Sequence, residues 1–220
     1  GPTAPPRAGG AAARPMGAEA RGVDPRLDDI LAPELFGPAL RALLQRAGDT
    51  LDAVSPVDLR ALRAVPLVPG TPLGTTVGAV ATVVGLGALQ ILVSPQLGRV
   101  AIPLGSNPPA LLVGEGLMNV ENERARAFVV VRALKMILSR SSSVLRGQPA
   151  DVAVLVSALF TAFNPSFSPQ GVDPRRVFEM SRRIVPALPR NLDPTVGVIA
   201  LEAAGTLGDV AGFDAGFFGI

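Results

Sequence analysis

From Ala64 to Gly98 the chain carries no charged residue: AVPLVPGTPLGTTVGAVATVVGLGALQILVSPQLG. Such a stretch has two places to go, a bilayer or the interior of a fold. A membrane span needs about 20 consecutive apolar residues. Here Pro66, Pro69 and Pro72 crowd the start, and Gly78, Gly85 and Gly87 interrupt the middle. That punctuation favours a folded reading: a buried helix over 73–84, a glycine turn at Gly85-Leu86-Gly87 and a strand over 88–93. Ser94-Pro95-Gln96-Leu97-Gly98 reads as a turn and 99–104 as a partner strand, so 88–93 and 99–104 form a hairpin. After a turn at Ser106-Asn107-Pro108-Pro109, Ala110–Val113 gives a third strand. Gly74 and Gly78 form a GxxxG pair, which has meaning only inside a membrane.

The flanks read as helix. Leu27, Ile30, Leu31, Leu35, Leu40, Leu43 and Leu44 recur at helical spacing over 27–47, with Pro33 and Pro38 dividing the segment in two. Asp49 or Thr50 is a possible cap, and Ser55-Pro56-Val57-Asp58 resembles a helix start running to Ala64. Over 121–140, Phe128, Val131, Leu134, Lys135 and Leu138 share one side, with an Asn cap at 119 or 122. A nearly all-apolar helix spans 149–163. Asp173-Pro174 and Asp193-Pro194 each place an acidic cap before a proline, opening helices to about 185 and 210. Residues 1–26 are a Pro/Gly/Ala-rich tail, and the opening Gly1-Pro2 reads as a protease-cleavage scar. The expected fold is α+β and helix-dominated. A small antiparallel sheet of two or three strands lies between N-terminal helices (27–64) and a helical core (121–210), within one domain over 27–220.

The chain has no His and no Cys. Ser-His-Asp and Cys-His catalysis are therefore excluded within it. So are the usual zinc, copper, iron–sulfur and haem ligand sets, and disulfides. The isoelectric point near 10.3 comes from a net charge of only +2. With no His, Cys or Tyr, almost nothing titrates between the carboxylates and the single Lys135, so a small surplus moves the zero-charge point far upward.

Three stretches carry a family resemblance. They are Val93-Ser94-Pro95, the run Asn107–Leu117, and Phe128–Ile137. Together they resemble the core of gluzincin-type zinc metallopeptidases, in which a strand precedes a helix bearing HExxH. The five matching positions hold Arg132, Ala133, Leu134, Lys135 and Met136, so both His ligands and the catalytic Glu are replaced. Glu202 matches a later family ligand. The chain is more similar still to degenerate peptidase-like domains of large bacterial tetratricopeptide-repeat proteins, notably myxobacterial ones. That resemblance implies a catalytically dead scaffold domain, a fragment of a larger protein.

The remaining candidates read blandly. Lys135 and Ser139 are an i, i+4 pair that reads as a snorkelling Lys near a helix end. Ser141-Ser142-Ser143 reads as a polar loop, and Glu115 as part of an exposed turn. The densest basic cluster is Arg175, Arg176, Arg182 and Arg183, spaced to share a helix face with Phe178 on the apolar side. It is the candidate partner-binding surface. No aromatic residue interleaves with it to stack bases, so nucleic acid is disfavoured. The expected function is a non-catalytic interaction or scaffold domain of the cytoplasm, without cofactor. Its partner is a protein or another domain of the same protein. The alternative is membrane association through 73–93.

Overall fold

The computed structural model describes residues 37–207. The expected tail over 1–26 and the 27–36 part of the first helix lie outside the described residues. Helix α1, Pro38–Val54, opens on the proline, whose fixed φ suits the first helical position. Leu40, Leu43, Leu44, Ala47, Leu51 and Val54 form its buried stripe. Asp49 and Thr50 lie inside this helix and cap nothing. Ser55 ends it rather than starting another, its N–H donating to Leu51 C=O at 3.1 Å. The Asp58 carboxylate accepts from the N–H groups of Arg60 and Ala61. The turns that follow end at Arg63, which takes a left-handed φ of 49°.

The uncharged run then forms β1 (Val65–Pro66), α2 (Pro72–Val83) and β2 (Gln90–Ser94). After it come β3 (Ala101–Ser106) and β4 (Pro109–Gly114). The fold is α+β and helix-dominated, and its sheet is larger than expected and mixed, in the order β1-β2-β4-β3. β2 and β3 do not pair as a hairpin. β4 lies between them, parallel to β2 with Leu92 opposite Leu112, and antiparallel to β3 with Ile102 opposite Leu112. The reason is burial and donors. Ala110–Val113 is buried at every position, the pattern of a central strand. Pro103 has no N–H to give a second neighbour, which restricts β3 to an edge.

The second half of the chain is helical: α3 (Glu115–Met118), α4 (Glu123–Leu138), α5 (Ser142–Arg146), α6 (Pro149–Phe163), α7 (Pro174–Ala187) and α8 (Thr195–Leu207). Side-chain caps fix several starts. Thr71 Oγ1 accepts from Gly74 N–H, Asn122 Oδ1 from Arg124 and Ala125, Asp173 Oδ1 from Arg175, and Asp193 Oδ1 from Thr195. Pro186 lies inside the last turn of α7 and does not end it.

Buried apolar side chains gather into two clusters. One joins α1, α6, α7 and α8 with Val144 of α5. The other joins α2, β4, α3 and α4. Helix α2 is not buried all round: only Leu73, Val77 and Ala81 point inward, and Val83 is 73% exposed. Thr75, Thr76 and Thr82 satisfy their hydroxyls by donating to carbonyls one turn back, so the outer face carries no charge. No helix among the described residues is long and apolar enough to cross a membrane. On α4 the inward stripe is Val130, Ala133, Leu134 and Ile137; Phe128, expected to share a side with Leu134, is 69% exposed.

Candidate interaction groove and the polar seam beside it

The 94–98 turn packs unusually close to the end of β4. A Cβ on Gly114 would stand 2.0 Å from Gly98 O, and one on Gly116 would stand 2.8 Å from Gly98 C. Glycine on both sides of Glu115 is therefore a packing requirement. Glu115 itself is exposed at the start of α3. This contact fixes residues 97–100 against the sheet, and β3 leaves from there along α4.

Between them lies a groove of about 460 Å³. Leu97, Val100, Ala101, Ile102, Phe128, Val129 and Ala133 supply apolar surface, with Arg99 from the segment before β3, Arg132 from α4 and Arg146 from α5. No carboxylate lines it among the described residues. Arg99 and Arg132 are both exposed. Neither makes a hydrogen bond or ion pair with a described residue. Val100 N–H and C=O face β4, since Val100 C=O accepts from Gly114 N–H at 2.9 Å. By antiparallel alternation, the N–H and C=O of Ala101, a residue that lines the groove, face away from β4.

Sequence reasoning placed Arg132 in a vacated metal-binding motif, and the structure places it on the groove wall. Ala133 and Leu134 are buried in the core, and Met136 Sδ accepts from Ser141 Oγ–H at 3.1 Å. Ser139 Oγ is turned to Met136 C=O and Ser141 Oγ. Glu202 is exposed on α8, a helix that packs chiefly on α1 and α6 in the other core cluster. It is not brought to residues 132–136.

The four α7 arginines divide between two directions. Arg176 reaches Asp151 of α6 at 2.6 Å, and Arg183 donates to Val54 C=O at the end of α1. Arg175 pairs with Glu179 one turn on, at 3.2 Å. Only Arg182 has no partner among the described residues. Phe178, expected on the apolar face, is 61% exposed.

Where the two cores meet, α1, α5 and β3 bury a polar seam. Arg146 Nη2 donates to Ser55 C=O at 2.7 Å and stands 3.3 Å from Asp52 Oδ1; Nη1 donates to the Pro103 and Leu104 carbonyls. The Asp52 and Arg146 side chains are 9% and 7% exposed. Beside them Asp49 accepts from Ser106 Oγ–H and faces Arg140 at 3.2 Å. Arg140 follows α4 in a left-handed conformation, φ 52°. It donates to Ile137 C=O while Ser141 donates to Met136 C=O, the paired bonds that close a helix end. Ser141, Ser142 and Ser143 are buried at the start of α5, where a polar loop was expected.

Burial is the largest influence on Asp52 and pushes its carboxyl up to about 6. The Arg146 guanidinium and the Ser143 backbone N–H oppose that rise, and Asp49 adds to it. Neither Asp52 oxygen completes a well-aligned hydrogen bond. Burial likewise lowers Arg146, against the attraction of Asp52. Desolvation outweighs attraction on both partners, as is usual for buried pairs.

A pH dependence follows. Below about pH 4 Asp52 is neutral in the folded and unfolded chains alike. Between about pH 4 and 6 the folded chain keeps a proton that the unfolded chain has lost. The carboxyl's favourable contribution therefore disappears as pH rises through about 6. Urea melts at several pH values should show the wild type losing stability relative to Asp52→Asn over this range. A constant difference between the two would contradict the assignment.

A second cavity of about 340 Å³ borders the seam, with Asp49, Asp52, Gln90, Ser106 and Asn107 among its walls. Its carboxylates are already held by Ser106, Arg140 and Arg146. No group of three or more His, Cys, Asp or Glu among the described residues is placed to hold a metal ion. The seam joins the two cores, and the groove is the larger open feature of the two.

No protein-family model, curated protein or solved structure matches the chain.

Proposed function

We propose that this chain is a non-catalytic interaction domain and that the groove between residues 97–102 and α4 is its contact face. The observation that carries this reading is that two exposed arginines, Arg99 and Arg132, neither paired with a described residue, line one largely apolar groove. A solvent-exposed Phe128 beside them adds the kind of aromatic surface enriched at interfaces. The replaced HExxH positions support the same reading: the residue at the first of them, Arg132, serves the groove. The domain acts in the cytoplasm as a scaffold within a larger bacterial protein, and its occupant is another protein or another domain.

Photocrosslinking tests this. A photoreactive phenylalanine analogue replacing Phe128 in the full chain is expected to give discrete protein adducts. The adducts should disappear when Arg99 and Arg132 are both changed to Glu. Adducts that survive the charge reversal, or none at all, would refute the assignment of the face.

A further inference from the structure

We propose that the groove takes a short, extended, acidic peptide segment of a different protein, one carrying apolar side chains between its carboxylates. The inference rests on the reading of the groove as a contact face and names its occupant. Charge complementarity comes first. Two exposed arginines from different elements line the groove without a counter-charge among the described residues, whereas three of the four α7 arginines are spent on Asp151, Glu179 and Val54 C=O. A carboxylate between Arg99 and Arg132 would receive charge-assisted donors from both.

The apolar floor selects against a simple polyanion. Of the residues that line it, Phe128 is 69% exposed and Val100 42%. Covering them favours aliphatic or aromatic side chains on the ligand. The backbone sets the ligand's form and limits its length. Ala101 offers one outward N–H and C=O, enough to seat an extended strand. Two residues on, Pro103 has no N–H, and its carbonyl is occupied by Arg146. The edge therefore seats a short segment and cannot extend a sheet. The same two features disfavour a second copy of this chain pairing through β3. Such a partner would bring the same proline, and Arg99 and Arg132 would face their own kind.

The test is a titration of the full chain, followed by NMR at the Ala101 amide and the Val100 and Val129 methyls, all of which line the groove. The probe is a blocked octapeptide alternating Asp with Leu and Phe. The comparison probes are its Lys-for-Asp counterpart and a single-stranded oligonucleotide. The acidic probe should shift those three signals. Its affinity should fall about ten-fold or more in Arg99→Glu and in Arg132→Glu, and also between about 0.05 M and about 0.5 M salt. Arg182→Glu, an equal change of charge on α7, should leave it unaltered. All these positions are exposed, so the variants keep the fold.

Equal binding of the Lys peptide, tighter binding of the oligonucleotide, or indifference to both groove reversals would overturn the proposal. Self-association abolished by Arg99→Glu would give the groove to a second copy and overturn it as well. If the acidic probe fails while Phe128 still crosslinks to a protein in an arginine-dependent way, the contact face stands and the acidic occupant falls. If both fail, the reading of the groove falls with it.

Discussion

Arg146→Ala is expected to cost about 3–5 kcal/mol of stability, the range seen when one member of a buried ion pair is deleted. The guanidinium serves the Ser55, Pro103 and Leu104 carbonyls and faces Asp52. One side chain thus ties the end of α1, β3 and α5 together. Removing it leaves Asp52 buried with no countercharge except the more exposed Arg140 pair next door. It also strips three carbonyls of a donor. Arg146→Lys should fall between wild type and Ala, because one ammonium cannot reproduce the planar fork. Replacing the pair together, Asp52→Asn with Arg146→Met, should recover part of the loss by removing both buried charges. Urea unfolding must be followed by far-ultraviolet circular dichroism, since the chain has neither Trp nor Tyr. A loss under about 1 kcal/mol for Arg146→Ala would mean the seam does not hold the cores together.

Gly48→Ala should be the most damaging change on α1. A Cβ there would stand 1.9 Å from Arg140 O and 2.9 Å from Arg140 C, and backbone atoms cannot swing aside as a flexible side chain does. Either α1 or the closed end of α4 must move, taking the Asp49–Arg140 pair and the buried serines with it. Losses from forced overpacking run to about 3 kcal/mol and occasionally more. Gly78→Ala is the internal contrast. It lies in an exposed part of α2 with nothing within 4 Å of the new methyl. It should stabilise the protein by up to about 1 kcal/mol through helix propensity alone. Thermal melts of the two variants should move in opposite directions. A neutral Gly48→Ala would show that α1 does not approach Arg140 so closely.

These contrasts mark what the sequence made legible. Local chemistry read well: Asp173-Pro174, Asp193-Pro194 and Asn122 each begin a helix as their side chains require. The apolar run of 149–163 is α6 residue for residue. Strand order did not read, because period and turn residues mark strands but not neighbours. The deciding facts were the burial of Ala110–Val113 on both faces and the missing N–H of Pro103. Ser55-Pro56-Val57-Asp58 carried a genuine start signal, but without an apolar stripe after it the chain turns instead. Phe128 was grouped with Leu134 and Phe178 set on the apolar face by hydrophobicity alone, and both face out, since the helical phase belongs to Val130, Leu134 and Ile137 on one helix and to Val177 and Ile184 on the other.

The groove was hidden for a related reason. Arg99 follows a turn and Arg132 sits mid-helix, and nothing in their spacing says that β4 slips between β2 and β3 to bring them together. The α7 arginines, adjacent in sequence, drew attention that their intramolecular partners largely account for. One signal was present, an aromatic residue out of phase with the stripe of its own helix, and Phe128 is that residue.

The central claim, that this face and no other is the contact surface, is tested most directly by comparing crosslinks from two exposed phenylalanines. The photoreactive analogue is placed at Phe128 or at Phe178 in the full chain, each with and without the Arg99→Glu, Arg132→Glu reversal. Discrete protein adducts from position 128 alone, lost on reversal, are the predicted result. Equal adducts from both positions, or adducts at 178 alone, would contradict it.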